Sequence, residues 1–184
     1  MKIKKSFLKV FSTIKKKNKS LELHEPFIDR KDLLTVTKAL KNKHVAGKGN
    51  YTNKFEKKIS KLTKSKYVIS CSSGTSALHL ALKYLEINSN DEVLVPAINF
   101  ISTANAIIYC GGSPHFIDVS EKTLGVDTLK LSRYLNQIGK FQGGKIINKK
   151  TGKTIRAIIP MHTFGHPCEM DEIINLATTF KIEC

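Results

Sequence analysis

The sequence predicts an α/β protein built on a mainly parallel sheet. Three observations predict it. β-branched runs of about five residues recur from Lys66 onward. Helical patterns of about eleven residues alternate with them. Proline, glycine or small polar residues punctuate the changes. Strands joined through helices must cross over the sheet, and the crossover makes neighbouring strands parallel.

The elements follow in order. Asp29 to Leu40 has helical spacing, with Leu33, Leu34, Val36 and Leu40 near one face. Gly47 and Gly49 mark a turn. Tyr51 to Leu62 reads as a second helix, with Tyr51, Phe55, Ile59 and Leu62 in its stripe and lysines opposite. "YVISC", Tyr67 to Cys71, reads as a buried strand, and Ser72 to Leu85 as a helix. Glu92 to Pro96 is a strand closed by proline. "FISTANAIIYCGG" is a helix stopped at Gly111 and Gly112. His115 to Val119 is a strand, and Asp127 to Gln137 a helix behind an aspartate cap. "GKFQGGKIINKKTGKT" breaks the rhythm and reads as an exposed loop or a small hairpin. Its "TGKT" is no phosphate loop: the motif needs glycine at position 147, which is Ile147. Arg156 to Pro160 is a strand, Cys168 to Phe180 a helix, and "KIEC" the first step of another strand.

Composition bounds the function. The chain has 184 residues, 41% hydrophobic and 25% charged, which is the globular range. No apolar run reaches the length of a membrane span. Cys71, Cys110, Cys168 and Cys184 are scattered, without a CxxC pair or a metal-ligand spacing. Reduced thiols in a cytoplasmic protein are the reading, with no metal site. The net charge of +16 is concentrated: Met1 to Ser20 holds eight lysines and no acid. Residues 1–21 form a basic tail, disordered or weakly helical, and residues 22–184 form the body. The tail is either a frayed, solvated end or a weakly amphipathic helix that touches an anionic membrane surface. Elsewhere the lysines lack the aromatic interleaving of a nucleic-acid binder, so no nucleic-acid partner is expected.

The chemistry gathers at three strand–helix junctions. "SSGTS", Ser72 to Ser76, stands between a strand and a helix. The first turn of a helix leaves amides without partners, and its dipole favours an anion there. Glycine admits close approach, and Thr75 and Ser76 add hydroxyl donors. The site is a phosphate cup, or Ser72 or Ser73 simply caps the helix. The second junction places Phe100 just after a strand, where its ring can stack on a flat heteroaromatic ring or pack in the core. Asn99, Ser102, Thr103 and Asn105 around it are polar, and Asn105 within a helix suggests a bonding role. The third carries His162 and His166, a pair that lacks a third metal ligand.

Together, "GKGNYTNKFEKKI", "SSGTSALHLAL", "DEVLVPAINFISTANAI", "GGSPHFIDV" and "IIPMHTFGHPCEMDEI" occur in an order that resembles the DegT-type nucleotide-sugar aminotransferases. The resemblance covers residues 22 to 184. It implies the large domain of a fold-type-I pyridoxal phosphate (PLP) transferase, a three-layer α/β/α unit, truncated. It implies that Gly74, Thr75 and Ser76 hold the PLP phosphate and that Phe100 stacks on the pyridine ring. Asn99 departs from the family's commoner threonine. Gly47 and Gly49 fall in a flexible loop near the active site, and His162 in an "HxxG" turn. "LHEP" and "MHTFGHP" further resemble a LegC-like branch, tied to legionaminic acid and polysaccharide biosynthesis. Its substrate is a UDP-linked 4-keto-6-deoxy-N-acetylhexosamine, its amino donor glutamate and its full-length form a homodimer. In this family an "EDAA"-like segment and the catalytic lysine follow the last strand seen here. The chain alone is therefore expected to be inactive, without the small domain and with an unfinished, exposed sheet edge. The alternative is a catalytically dead basic module that uses its tail on anionic surfaces. A dinucleotide-binding protein is disfavoured because no GxGxxG follows the first strand.

Overall fold

A computed structural model describes Leu8, Ser12, residues 26–47 and residues 49–184. The readings of the basic tail lie outside the described residues, apart from Leu8 and Ser12, both helical. The chain divides into two compact units, Met1–Val68 and Ile69–Cys184.

In the first unit, α1 (Arg30–Lys41) starts at a capping box. Asp29 Oδ1 accepts the Lys31 and Asp32 amides at 2.7 and 2.9 Å, and Asp32 Oδ2 accepts the Asp29 amide at 3.0 Å. This reciprocal pairing satisfies donors that the helix start leaves open. Helix α2 (Asn50–Thr63) ends at Lys64 in the left-handed conformation. Neither helix has a buried residue; the predicted stripe of α1 remains exposed, as do Phe55 and Leu62 of α2, whereas Tyr51 and Ile59 are half-buried.

The second unit contains α3 (Gly74–Tyr84), β1 (Asp91–Pro96), α4 (Ile101–Tyr109), β2 (Ser113–Ile117), α5 (Thr128–Ile138), β3 (Gly139–Gln142), β4 (Lys145–Asn148), β5 (Thr154–Ile158) and α6 (Met170–Phe180). The sheet order is β2-β1-β5-β4-β3. β1 pairs in parallel with β2 and β5, whereas β3 and β4 form an antiparallel hairpin. Every residue of β1 is buried, as a strand covered on both faces requires. Alternation along β1 divides the core. Leu94 packs with Leu131, Leu135, Ile173 and Ala177 of α5 and α6. Val93 and Val95 pack with Leu82, Ala106 and Ile107 of α3 and α4. The result is three layers, α/β/α.

The Asp127 cap forms as predicted: its Oδ1 accepts the Lys130 amide at 2.9 Å. Asp127→Ala is expected to cost about 1 kcal/mol, read as a lower urea midpoint with an unchanged slope. The glycine- and lysine-rich insert is the β3–β4 hairpin. Gly143 and Gly144, with φ of 57° and 77°, supply the two positive-φ residues of its turn. It is less exposed than expected, because Ile146 and Asn148 are buried. "KIEC" begins a strand: Glu183 forms a parallel bridge to Ala157 of β5.

One strand does not form. Among the described residues, 67–71 form no strand, and Tyr67 and Ile69 are 79% and 74% exposed. Propensity favours an extended chain, but a strand also needs a neighbouring strand to pair with, which the local sequence cannot supply. Beside this segment lies an apolar cavity of about 620 Å³, walled by Ile69, Leu78, Ala81, Leu85, Ile159 and Cys184.

At the N-terminal edge of the sheet, buried Glu92 ties three elements together. Its Oε2 accepts from His115 Nδ1 at 2.7 Å and from Asn148 Nδ2 at 2.9 Å. Its Oε1 accepts from the Thr151 hydroxyl at 2.6 Å. A carboxylate only accepts, so His115 Nδ1 carries the hydrogen; His115 Nε2 lies 3.0 Å from the Tyr134 hydroxyl. Burial alone raises the Glu92 carboxyl, but hydrogen bonds from Asn148, Thr151 and His115 bring it below its ordinary value.

Candidate active site

Parallel pairing sets the C-terminal ends of β1, β2 and β5 on one edge of the sheet. Helix α4 leaves the end of β1, so it begins at this edge. Helix α3 precedes β1 and must run back along the strand, so Gly74 begins at the same edge. Both helices bury residues in one core cluster. The Cys110 thiol at the end of α4 lies 3.9 Å from the His79 carbonyl, midway along α3. The two helices thus run side by side from the same edge.

At the mouth of α3, Ser73 is the cap: its Oγ accepts the Ser76 amide at 3.1 Å. Ser76 Oγ lies 3.0 Å from Ser73 Oγ and 3.2 Å from Ser72 Oγ. The capping reading is therefore correct, but it occupies only one amide. The Gly74 and Thr75 amides have no helical turn before them to accept their hydrogens. A side-chain carbon built on Gly74 meets no atom within 4 Å, so the backbone there faces open space. Thr75 is half-buried and Ser76 exposed.

Phe100 is the first flanking residue of α4, and its ring is 68% exposed rather than packed in the core. Asn99 positions it. Asn99 Oδ1 accepts the Phe100 amide at 2.7 Å and the hydroxyl of buried Thr103 at 3.0 Å. These two bonds fix the amide orientation and leave Asn99 Nδ2 buried without an acceptor. Asn105 is half-buried in α4. An open helix mouth and an exposed flat ring on one sheet edge suit a molecule with a phosphate at one end and a planar ring. On these grounds the residues present fit PLP.

The turn after β5 is held by its own side chains. His162 Nδ1 accepts the Cys168 amide at 3.1 Å, so a neutral ring carries its proton on Nε2. The Cys168 thiol donates to the Met161 carbonyl at 2.9 Å. His166 turns to the Pro167 carbonyl, 3.1 Å from its Nδ1. The positions of Gly47 and Gly49 belong to the first unit, where they precede α2. Two residues of this edge, Leu124 and Phe164, have left-handed backbones with φ of 56° and 53°. Sequence reasoning missed both, because neither is a residue type that signals positive φ.

Comparison with known proteins bears on the family and the fold. The model of the DegT/DnrJ/EryC1/StrS aminotransferase family matches residues 26–183. GDP-perosamine synthase of Escherichia coli O157:H7 is 35% identical over 159 residues, which is 86% of this chain and 39% of that protein. The aminotransferase from Psychrobacter cryohalolentis superposes with a TM-score of 0.71 at 27% identity, over 85% of this chain and 36% of that one. Ntda from Bacillus subtilis, solved with bound cofactor PMP, gives a TM-score of 0.68 at 27% identity, over 90% and 37%. The chain spans about two fifths of the length of the curated relatives it matches.

Proposed function

Because the chain belongs to the DegT/DnrJ/EryC1/StrS aminotransferase family, we propose that it forms the cofactor-holding part of a PLP-dependent sugar aminotransferase. The observation that carries this reading is that the open mouth of α3 and exposed Phe100 share one edge of the sheet. The Gly74 and Thr75 amides, with the Thr75 and Ser76 hydroxyls, would hold the phosphate, and the α3 dipole would favour its charge. Phe100 would lie against the cofactor ring, held in place by Asn99. When bound, PLP supplies an electron sink for the carbon whose amino group is exchanged. Asn105 and His162 stand near the site, and His162 offers an Nε2 donor when neutral.

The substrate we propose is a nucleotide-linked keto sugar, and the named product of GDP-perosamine synthase, linked to GDP, supports that class. The finer form is a UDP-linked 4-keto-6-deoxy-N-acetylhexosamine, aminated from glutamate for a surface polysaccharide or legionaminic-acid-type sugar. A homodimer is the proposed working form. PLP titrated into the chain and followed by absorbance tests the site. Thr75→Ala and Phe100→Ala are each expected to weaken binding about tenfold, the size of one charge-assisted bond or one stacked ring. Equal binding by all three proteins removes the assignment.

A further inference from the structure

The ligand edge holds two backbone positions that no helix end explains. Among the described residues, six non-glycine positions have positive φ. Lys43, Lys64, Glu86 and Lys181 each sit at or just past a helix C-terminus, where that conformation is routine. Leu124 and Phe164 do not. A bulky side chain in the left-handed region is disfavoured and persists only where its surroundings impose it.

The surroundings here are shared. The Thr163 hydroxyl donates to the Leu124 carbonyl at 3.2 Å, joining the two turns. The Leu124 amide bonds the Ser120 carbonyl at 2.8 Å, and the His166 amide bonds the Thr163 carbonyl at 3.0 Å. Gly125 packs so closely on Cys168 that an added Cβ would lie 2.6 Å from the thiol sulfur. Val126 and Cys168 anchor the pair in the core under α5 and α6. The two turns follow β2 and β5, the neighbours of β1 on either side. They therefore rim the edge on the α5–α6 side, whereas Gly74 and Phe100 rim it on the α3–α4 side. Despite this bracing Phe164 is 69% exposed. Strain held in place to present an exposed aromatic is characteristic of a ligand contact.

We propose that Phe164, braced through Thr163 against Leu124, is the apolar platform for the hexose ring of a nucleotide sugar and sets sugar specificity. A hexose has one face made largely of C–H groups. A flat apolar ring receives that face while the hydroxyls stay hydrated. This inference rests on the aminotransferase reading above, which places the cofactor on the opposite rim.

The test measures melting temperature and calorimetric affinity for UDP-N-acetylglucosamine and for UDP in the chain and in Phe164→Gly and Phe164→Tyr. Glycine adopts a φ of 53° without strain. Phe164→Gly is therefore expected to melt at the same temperature or up to about 3 °C higher. It should bind UDP-N-acetylglucosamine about fivefold more weakly and UDP equally well, with Phe164→Tyr restoring affinity. A melting temperature lowered by more than about 5 °C, beyond the chain entropy that glycine adds to the unfolded state, assigns Phe164 to packing and overturns the proposal. So does unchanged affinity for the sugar nucleotide, an equal loss for UDP, or no binding of UDP-N-acetylglucosamine to the unaltered chain. PLP titration of the same samples separates the two readings. No PLP binding removes the cofactor assignment as well, whereas PLP binding with unchanged sugar affinity removes this inference alone.

Discussion

Glu92→Ala is expected to destabilise the second unit by about 3 kcal/mol. The substitution leaves three donors, on His115, Asn148 and Thr151, facing a buried gap where an acceptor stood. Removing one side of a buried charged network costs the desolvation of what remains, which exceeds the net worth of the bonds themselves. Glu92→Gln keeps the shape and one acceptor oxygen, so about 1 kcal/mol is expected. The pH dependence has a defined sign. The folded carboxyl lies below its ordinary value of 4.5. Its contribution is then fully present above the unfolded value and is lost as pH falls through the folded one. Stability measured by urea should stay level with respect to Glu92 above about pH 5 and decline below it. Glu92→Gln should flatten that decline. A Gln variant with the same acid limb as the unaltered chain would remove Glu92 as its cause.

Gly139→Ala is expected to cost about 2 kcal/mol although the backbone at Gly139 is ordinary extended chain. An added methyl would lie 2.6 Å from the Leu135 carbonyl oxygen and 2.5 Å from Ile146 Cδ1. The isoleucine can turn away, but the carbonyl belongs to the last turn of α5 and moves only with the helix. The substitution forces apart α5 and the hairpin that begins at its end. A midpoint within 0.5 kcal/mol of the unaltered chain would show that the joint yields without strain. Gly143→Ala is a control: it sits at positive φ but meets no neighbour, so its cost is conformational only.

These positions show what can be read in one dimension. The alternation of strands and helices, the Asp127 cap and the β1 burial depend on local pattern, and they appear where the pattern places them. Local pattern also marks Ser73 and Gly74, because capping and glycine chemistry act over three or four residues. The segment Tyr67 to Cys71 shows the limit. Its residues favour extended chain, yet pairing is a property of the neighbour, and the neighbour is not written in the segment. Gly139 carries no sign of the Leu135 carbonyl behind it, since that closeness arises only when hairpin and helix meet. Phe164 looks like any core aromatic in the sequence, yet it is exposed in the fold. Phe100 was legible for a related reason: polar residues on both sides argue against simple core packing.

The Glu92 knot has a consequence for how this fold can change. It locks strand and hairpin together at the end of the sheet farthest from Gly74, Phe100 and Phe164. Residues that discriminate one small molecule from another can then be exchanged without touching the bolt that fastens the scaffold. Lineages built this way can drift toward new chemistries while tolerating errors at the working end, because the penalties for losing shape are levied elsewhere.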